Sequence, residues 1–458
     1  HPSRCHWHAC NFARYHPRNK DFRGQPGAGS EMHVTSMRLA ALILFAGFFT
    51  SFYWYFPTIS ADLMATILAG KFLAMGRPDQ VYPALTDIFL MYPPSEWRGF
   101  MALEYGYEGP VFPFIYPPLW AKLAALLAGL NLWRVAAVAL VINTALLFLT
   151  IVLAMHATRT RLNPAIYAAL ATFFLMSNLI GTIALLQNQP QILVSFLLVL
   201  AIERARNGGP IAAGAALALA AAIKIYPAFF ALFWLFGRER RAFGAFVVFG
   251  GALGLISLIW AGWPLHQAFL DQLRLISGSV LVTGITYNLD AAVAQLFFAS
   301  DLVRIVGLEA PTPVNPDPGW FSMLRPGLWR ITSPAILLIA VALLTRGFAS
   351  VDRATQAAAL WPLALIVVAI LSPISWSYYF IPAACFAPVL LERLGLRRGA
   401  FFLVLAFGLI FRPNMRLYRV LSDLDGWPTY VSQLAGVLAM VILAAGFWQA
   451  TRGGAKAG

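Results

Sequence analysis

Residues 211–237 decide the fold of the chain, and they read IAAGAALALAAAIKIYPAFFALFWLFG. Two apolar segments, 211–223 and 227–237, are separated by the polar interruption Lys224-Ile225-Tyr226-Pro227. Proline interrupts a helix, and each segment is shorter than the roughly 20 residues that a straight membrane span requires. Two short helices that meet at a polar break are tolerated in a membrane only where they pack within protein or line a cavity. The stretch therefore predicts a broken helical hairpin inside a membrane-embedded bundle.

The composition of the whole chain also indicates a membrane protein. Of its 458 residues, 60% are hydrophobic and 11% are charged, and the mean hydropathy is +0.71. Soluble globular proteins carry about 25% charged residues, so this chain has too few charges for a water-exposed surface. The composition excludes a soluble enzyme, a nucleic-acid-binding protein and a disordered protein, and it predicts an all-α polytopic membrane protein.

Apolar stretches along the chain predict about 12 transmembrane helices. The stretches are 39–57, 133–155, 164–186, 190–203, 211–223, 227–237, 242–262, 331–345, 357–373, 378–391, 400–411 and 430–449. A further apolar segment, 117–130, has 14 residues and contains Lys122. We expect it to be a juxtamembrane or re-entrant helix on the outer side rather than another span.

The distribution of basic residues predicts the orientation. Alternate loops, together with both termini, hold 20 of the 33 Lys and Arg residues but only six of the 19 acidic residues. The net charge of +14 therefore lies on one side, because the rest of the chain holds 13 residues of each sign. By the positive-inside rule that side is the cytoplasm. We expect a multi-pass protein of the bacterial inner membrane whose active site faces the periplasm or exterior, and no nucleic-acid partner.

Three regions follow from this pattern. Residues 1–38 lack apolar periodicity and are expected to form a disordered basic tail, residues 39–450 the transmembrane domain, and residues 451–458 a cytoplasmic tail. Two long loops, 58–132 and 263–330, lie on the outer side with several short turns. We expect the function to lie where these outer segments converge.

Asp62 follows the first span and opens a predicted helix over 61–76, whose apolar residues recur at helical spacing. We expect this helix to be amphipathic and to lie on the outer membrane surface. A carboxylate in the first turn stabilises the helix dipole, and this placement is common. The alternative is that a carboxylate at the outer interface accepts a proton from a sugar hydroxyl as a general base. The residues alone leave both roles open.

Lys224 is the second charged candidate, because an unpaired lysine within a membrane is costly. A phosphate anion is a natural partner for it, and the alternative is a lysine that extends to the membrane surface. Tyr116 precedes two prolines and is held extended, which is also how a rigid helix start would look. The turn Gln187-Asn188-Gln189-Pro190-Gln191 offers amide donors and acceptors for hydroxyl groups or, alternatively, for capping of the turn.

Aromatic and polar side chains of the other outer segments complete the candidates. The run 372–379 reads SPISWSYY and is suited either to an interfacial aromatic belt or to a wall that stacks on sugars. The candidate substrate-binding residues are Tyr82, Tyr116, Gln187, Asn188, Gln189, Tyr287, Asn288, Ser375, Trp376 and Tyr379, and Arg412 is a second candidate for phosphate.

Common motifs for nucleotides and catalytic metals are absent from the sequence. It contains no P-loop, no G-x-G-x-x-G and no H-E-x-x-H. A nucleotide-driven reaction therefore has no visible site. We expect neither a metal nor a cofactor.

Five features occur in a fixed order: an acid after the first span, a Tyr-Pro-Pro before a short helix, a Gln-rich turn, a Lys-x-x-Pro hairpin and a Ser-Pro-x-Ser-Trp turn. This set resembles glycosyltransferase family 87, the polyprenol-phosphate-mannose-dependent mannosyltransferases with the GT-C fold, over roughly residues 39–445. The resemblance implies a GT-C-like bundle with juxtamembrane helices on its outer loops.

The resemblance also implies a reaction. Mannose or another hexose would pass from a polyprenyl-phosphate donor to a glycan or glycolipid acceptor at the outer face, with inversion. Asp62 would be the general base and Lys224 would hold the donor phosphate. The chain departs from the family after Trp376, where members often carry Asp or His and this sequence has Ser377-Tyr378-Tyr379. The alternatives are transfer of another sugar, such as arabinose, and a lipid-linked-sugar flippase or transporter.

Overall fold

The computed structural model describes residues 28–56, 60–237, 239–305, 320–423 and 430–453. The described part is predominantly helical. Its α-helices are α1 (Ala28–Tyr55), α2 (Ala61–Ala74), α3 (Ser95–Tyr105), α4 (Pro118–Ala125), α5 (Leu132–Thr158), α6 (Pro164–Met176), α7 (Leu179–Leu186), α8 (Gln191–Arg206), α9 (Pro210–Ile223), α10 (Ala231–Phe236), α11 (Arg240–Ala261), α12 (Trp263–Gly278), α13 (Leu289–Phe297), α14 (Gly327–Ser350), α15 (Arg353–Thr355), α16 (Trp361–Leu371), α17 (Ile381–Phe386), α18 (Leu390–Arg393), α19 (Leu396–Leu409), α20 (Asn414–Ser422) and α21 (Val431–Gly453).

The helices follow the predicted apolar stretches in chain order. Six helical segments of the described chain are long enough and apolar enough to cross a membrane unaided, and they lie in α1, α5, α11, α14, α15–α16 and α21. The other predicted stretches form shorter or broken helices, as at α6–α7, α9–α10 and α17–α18. An all-α integral membrane protein is therefore confirmed, and the order of helices is consistent with about twelve passes.

The loops predicted to be cytoplasmic contact one another at one end of the bundle. Thr160 Oγ1 donates a hydrogen bond of 2.5 Å to Glu392 Oε2 across a long sequence separation. Arg353 and Glu239 form an ion pair of 2.6 Å between two further basic loops. We call this the basic end, and the end that carries Asp62 the outer end. The predicted alternation of loops is thus reproduced by the packing.

Helices α9 and α11 approach each other closely at Gly214. A Cβ atom at this position would lie 2.5 Å from the carbonyl oxygen of Ala242 and from the Cβ of Ala245. Only a residue without a side chain therefore fits there. This contact fixes the first half of the broken hairpin against a long membrane span and so helps to place Lys224.

The helix that carries Asp62 differs from the sequence-based expectation. Helix α2 ends at Ala74 rather than at Gly76, and its residues are buried on nearly all sides instead of along one face. Gly70 lies against the backbone of Ala124 in α4, where an added Cβ would be 2.4 Å from a carbonyl carbon. The amphipathic surface helix is therefore wrong: α3 and α4 cover α2, and α4, with eight residues, is the expected juxtamembrane helix.

The second outer loop contains strands that the sequence did not predict. Strands β1 (Ser279–Val282), β2 (Val303–Ile305) and β3 (Trp320–Leu324) form an antiparallel sheet in the order β1-β3-β2. The central strand pairs Leu281 with Ser322 on one side and Arg304 with Phe321 on the other. The sheet brings Trp320 towards the bundle.

Part of the region expected to be a disordered N-terminal tail is helical. Helix α1 begins at Ala28, so residues 28–38 belong to a helix instead of a disordered tail. Residues 1–27 and 454–458 lie outside the described residues.

Candidate active site at the outer end

Asp62 is held at the start of α2 by a capped helix terminus. The Ser60 hydroxyl accepts a hydrogen bond from the backbone amide of Leu63 and donates one of 2.5 Å to the carbonyl of Gln187. Serine is a favoured N-cap, because its oxygen satisfies a free amide of the first turn. The same hydroxyl therefore fixes the helix start against the amide-rich turn, and Asp62 follows two residues later.

Gln189 is the central residue of the site. Its Nε2 donates to Asp62 Oδ2 at 2.6 Å and to the hydroxyl of Tyr378 at 2.9 Å, while its Oε1 accepts from the hydroxyl of Tyr116 at 2.8 Å. Three segments that are distant in sequence thus meet at one fully used amide. The arrangement fixes the orientation of the Asp62 carboxylate and leaves its Oδ1 without a hydrogen bond from the described residues.

Lys224 lies at the break that the sequence predicted. Helix α9 ends at Ile223, Lys224 is extended (φ −139°, ψ 137°), and a 3₁₀ turn over Tyr226–Phe230 leads into α10. Its ammonium lies 5.4, 5.5 and 4.6 Å from the ring centres of Tyr116, Tyr378 and Tyr379 and donates to the Tyr379 hydroxyl at 3.3 Å. Ring faces attract a cation but do not neutralise it.

Asp62 and Lys224 face the same group of tyrosines without pairing. The ion pairs of the described chain include neither residue. Burial raises the pKa of the Asp62 carboxyl to about 6, against the opposing influence of Lys224 and of the hydrogen bond from Gln189. A carboxylate with this pKa is matched to proton transfer near neutral pH. The site thus presents one base and one cation around Tyr116 and Tyr378.

The amide-rich turn is built from the bundle side. Asn188 adopts a left-handed backbone (φ 46°), and its side chain accepts from Asn143 at 2.6 Å and donates to the carbonyl of Ala136 at 3.0 Å. Gln191 donates to the hydroxyl of Tyr226 at 2.7 Å. Asn188 therefore anchors the turn to α5, while Gln191 joins it to the segment that follows Lys224.

The Gln187 side chain remains available within the site. Its Oε1 is buried without a hydrogen-bond partner in the described chain, although its backbone carbonyl accepts from Ser60. A buried acceptor without a partner is costly. Of the amides in the turn, Gln187 and Gln191 each have such an Oε1 in the described chain.

A row of aromatic rings leads away from Lys224. Tyr379 and Tyr378 stack with ring centres 5.8 Å apart, Tyr378 and Trp376 at 6.2 Å, and Trp376 lies 5.5 Å from Trp320. Trp376 is buried, whereas Trp320, the first residue of β3, is partly exposed. The row therefore joins the cation to a more open part of the outer end. We call these four residues the aromatic row.

Four further predicted site residues contact the backbone of segments near the site. They are Tyr82, Tyr287, Asn288 and Ser375. The Tyr82 hydroxyl donates to the carbonyl of Tyr116 at 2.8 Å, and the Tyr287 amide donates to the carbonyl of Ser375 at 2.7 Å. Asn288 caps α13 and donates to the carbonyl of Pro373 at 2.7 Å. None of the four is hydrogen-bonded to Asp62 or Lys224, so their predicted contact with substrate stays a prediction.

Arg412 lies apart from the central cluster. Its backbone amide donates to the carbonyl of Ser177 at 2.9 Å, and its side chain is exposed on the turn between α19 and α20. The hydrogen bonds and ion pairs of the described residues do not join it to Lys224. A shared phosphate contact of these two residues therefore stays a prediction.

Other outer carboxylates are less suited to act as a base. Asp290 is buried in an ion pair with Arg325 and accepts from Trp329 and Ser333 at 2.9 Å each. Asp79 is paired with Arg77 at 3.0 Å on the surface. Clusters of three or more residues that could hold a metal ion do not occur in the described part of the chain.

An apolar cavity of about 590 Å³ is lined by Pro117 and Ile225, the chain neighbours of Tyr116 and Lys224. Small side chains of α9 and α11 form much of its wall. The small wall residues are Ala218, Ala221, Ala222, Gly250, Gly251 and Gly254. A smooth apolar groove of this kind accommodates a long hydrocarbon better than a compact polar molecule.

These features define an integral membrane protein with a buried carboxylate, an ammonium group and an apolar groove at one end. The model of glycosyltransferase family 87 matches residues 114–373, more than half of the chain, and the chain therefore belongs to this family and is a glycosyltransferase. The match includes Tyr116, the amide-rich turn and Lys224 but not Asp62 or Trp376.

Two further comparisons are less informative. No curated protein matches the chain significantly. The crystal structure of ArnT from Cupriavidus metallidurans bound to undecaprenyl phosphate is similar with a TM-score of 0.39 and 13% sequence identity, over 91% of this chain and 76% of that chain.

Two contributors were missed as candidate site residues. The sequence places Tyr378 in a run suited to an aromatic belt or to a sugar-stacking wall without singling it out, although its hydroxyl accepts from Gln189 and its ring faces Lys224. Trp320 was not considered, because it follows a loop without periodicity. The dense run Trp376-Ser377-Tyr378-Tyr379 could have identified Tyr378, whereas the position of Trp320 depends on pairing within the sheet.

Proposed function

We propose that this family member transfers a hexose, mannose above all, from a polyprenyl-phosphate donor to a hydroxyl of a glycan or glycolipid. The observation that carries the proposal is the contact of Asp62, Gln189, Tyr116, Tyr378 and Lys224 beside an apolar groove. The charge distribution of the loops supports a reaction at the outer, periplasmic face of a bacterial inner membrane.

One donor molecule binds to both the groove and Lys224. Its isoprenoid chain lies between α4, α9 and α11, and its phosphate lies against the ammonium of Lys224. Ile225 and Pro117 line the groove at the point where the chain reaches Lys224 and Tyr116, so one molecule can fill both parts. A charge-assisted contact to phosphate is stronger than a neutral hydrogen bond.

The chemical step is a single displacement. The acceptor oxygen attacks the anomeric carbon, the bond from that carbon to the phosphate oxygen breaks, and polyprenyl phosphate leaves with the electron pair. Asp62 takes the acceptor proton on Oδ1, while Gln189 holds Oδ2. Lys224 stabilises the negative charge that develops on the leaving phosphate. Attack opposite the leaving group inverts the anomeric carbon.

The acceptor lies along the aromatic row. Sugar rings present C–H faces that stack on aromatic side chains, and the unused Oε1 of Gln187 can accept from a sugar hydroxyl. Trp376 and Trp320 continue the row away from Tyr378. An acceptor with more than one sugar would extend over them.

Purified protein in proteoliposomes tests the proposal directly. Labelled polyprenyl-phosphate mannose and its glucose and arabinose counterparts are supplied with an alkyl mannoside as acceptor. Equimolar formation of a new inverted glycoside and polyprenyl phosphate, lost in Asp62→Asn, is the expected result. Transfer from a nucleotide sugar would overturn the donor, and movement of the labelled donor across the bilayer without a new glycosidic bond would favour a flippase.

A further inference from the structure

A second cavity, of about 490 Å³, opens at the basic end of the bundle. The start of α1, the end of α5, the loop before α6 and the end of α8 form its wall. Its lining includes Met37, Met155, Arg159, Leu162, Glu203 and Arg204. We call it the basic pocket; it lies at the end opposite Asp62 and has no part in the proposed transfer.

The two guanidinium groups of the basic pocket belong to one hydrogen-bonded network that starts from a buried carboxylate. Glu203, with a side chain only 1% exposed, forms a two-point contact with Arg204 and accepts from Asn207 at 2.8 Å. Asn207, which is exposed, accepts from Nε and Nη2 of Arg159 at 3.1 and 2.6 Å. The network therefore links both exposed arginines to the buried Glu203.

The network leaves positive charge unused. Arginine carries five N–H donors, and the hydrogen bonds among the described residues engage Nε and Nη2 of Arg159 and of Arg204. The donors on the two Nη1 atoms have no such partner. Arg159 and Arg204 against Glu203 leave a formal charge of +1, and the Arg204 side chain is 44% exposed. The pocket is therefore suited to an anion.

Arg159 occupies a position where glycine is usual. It ends α5 with a left-handed backbone (φ 48°, ψ 43°), a conformation that costs an ordinary residue free energy. Helices commonly place glycine there. The backbone direction at this point turns the arginine side chain into contact with Asn207 at the end of α8.

We propose that the basic pocket binds the phosphodiester headgroup of an anionic phospholipid in the leaflet at the basic end. Met37, Met155 and Leu162 give the pocket an apolar wall, and α1, which carries Met37, also exposes the apolar side chains of Leu39 and Leu42. A phosphodiester bonds the free donors, while its acyl chains follow α1. Basic pockets between membrane helices on the cytoplasmic side suit such headgroups.

The test measures lipid binding and needs no transferase assay. Delipidated protein in neutral detergent is titrated with phosphatidylglycerol, with phosphatidylcholine or with inorganic phosphate, and bound lipid is counted by native mass spectrometry. Phosphatidylglycerol is expected to bind preferentially and to raise the unfolding midpoint. Arg159→Gln, which keeps the Glu203–Arg204 contact, should weaken this binding about fivefold.

Two variants keep the test decisive. Met37→Trp narrows the pocket without touching either arginine and should also weaken binding, whereas Arg398→Gln, an equal charge loss on the exposed start of α19, should leave it within about twofold. Unchanged binding in both pocket variants, or an equal loss in Arg398→Gln, would overturn the site. Equal binding of phosphatidylcholine, or saturation by inorganic phosphate alone, would overturn the lipid headgroup.

Discussion

At the outer end, Asp62 and Lys224 face a shared cluster of tyrosines without an ion pair, whereas at the basic end Glu203 and Glu239 each contact an arginine. The Glu239–Arg353 pair joins two loops that are distant in sequence, whereas Glu203 contacts its chain neighbour Arg204 at the end of α8. Unpaired charges beside a groove are expensive for the fold alone and are explained by a ligand. We therefore distinguish charges that stabilise the assembled protein from charges that, under the proposed function, take part in transfer.

The largest effect is expected for Asp62→Asn. This change keeps the size of the side chain and a polar contact with Gln189, but the amide cannot take the acceptor proton. Loss of a general base costs about 10²–10⁴ in kcat. The measurement is turnover of donor in proteoliposomes, with the unfolding midpoint as control. Near-normal turnover in a well-folded variant would show that Asp62 only stabilises the fold, and it would contradict the proposed mechanism.

The second-largest effect is expected for Lys224→Ala. Loss of a charged hydrogen bond to phosphate corresponds to about 1.5–3 kcal/mol, or roughly 10- to 100-fold in the apparent affinity for donor. Lys224→Arg should retain part of the function, because a single phosphate contact depends mainly on charge. Lys71 provides the matched control, since its ammonium also lies near aromatic rings, 5.2 Å from Phe100 and 4.9 Å from Tyr105.

The alanine variants of Lys71 and Lys224 can be compared for their affinity for the donor. Lys71→Ala removes a cation from an aromatic contact that is outside the proposed site, and donor affinity should stay within about twofold of the wild type. Equal losses in the two alanine variants would show that Lys224 supports the fold rather than the donor phosphate.

The pH dependence of kcat/KM is expected to report the state of Asp62. Its pKa is raised to about 6 by burial, and only the carboxylate accepts a proton. The rate should therefore fall about tenfold per pH unit below this pKa. Because Lys224 lowers the pKa of Asp62, the Lys224→Ala variant should lose activity at a higher pH. If kcat/KM of Lys224→Ala falls over the same acidic pH range as that of the wild type, the electrostatic interaction between Asp62 and Lys224 is contradicted.

Much of this site was visible in the sequence because it lies at interruptions. Lys224 interrupts an apolar hairpin, Asp62 follows a span, and the amides stand between two spans, so each breaks a strong pattern. The burial of α2 was not predictable, because α3 and α4 lie in a loop whose packing has no periodic signature. Contacts such as Gln189 with Tyr378 join residues about 190 positions apart, and no local pattern encodes them.

Trp320→Ala is expected to have a smaller effect that is confined to the acceptor. Loss of one aromatic contact corresponds to about 0.5–1.5 kcal/mol, or roughly two- to tenfold in KM for a glycan acceptor, with kcat for saturating acceptor unchanged. Trp320→Phe should restore most of the affinity. Trp133, which is 51% exposed on α5, is the control, and its alanine variant should leave KM unaltered. A loss of kcat without a change in KM would remove Trp320 from the acceptor path.

The smallest effect on turnover is expected at the basic end. Glu239 Oε1 contacts Arg353 Nη2 at 2.6 Å, with side chains 17% and 59% exposed, so Glu239→Gln removes the charge of an assembling pair. An exposed ion pair of this kind contributes about 0–1 kcal/mol to stability. The change should lower the unfolding midpoint slightly and leave kcat within about twofold of the wild type.

Because Glu239→Gln and Asp62→Asn each replace one carboxylate by its amide, the two variants compare the two ends of the bundle directly. A loss of turnover in Glu239→Gln as large as that in Asp62→Asn, at equal folded fraction, would show that the paired charges also serve catalysis and that the division between the two ends is wrong.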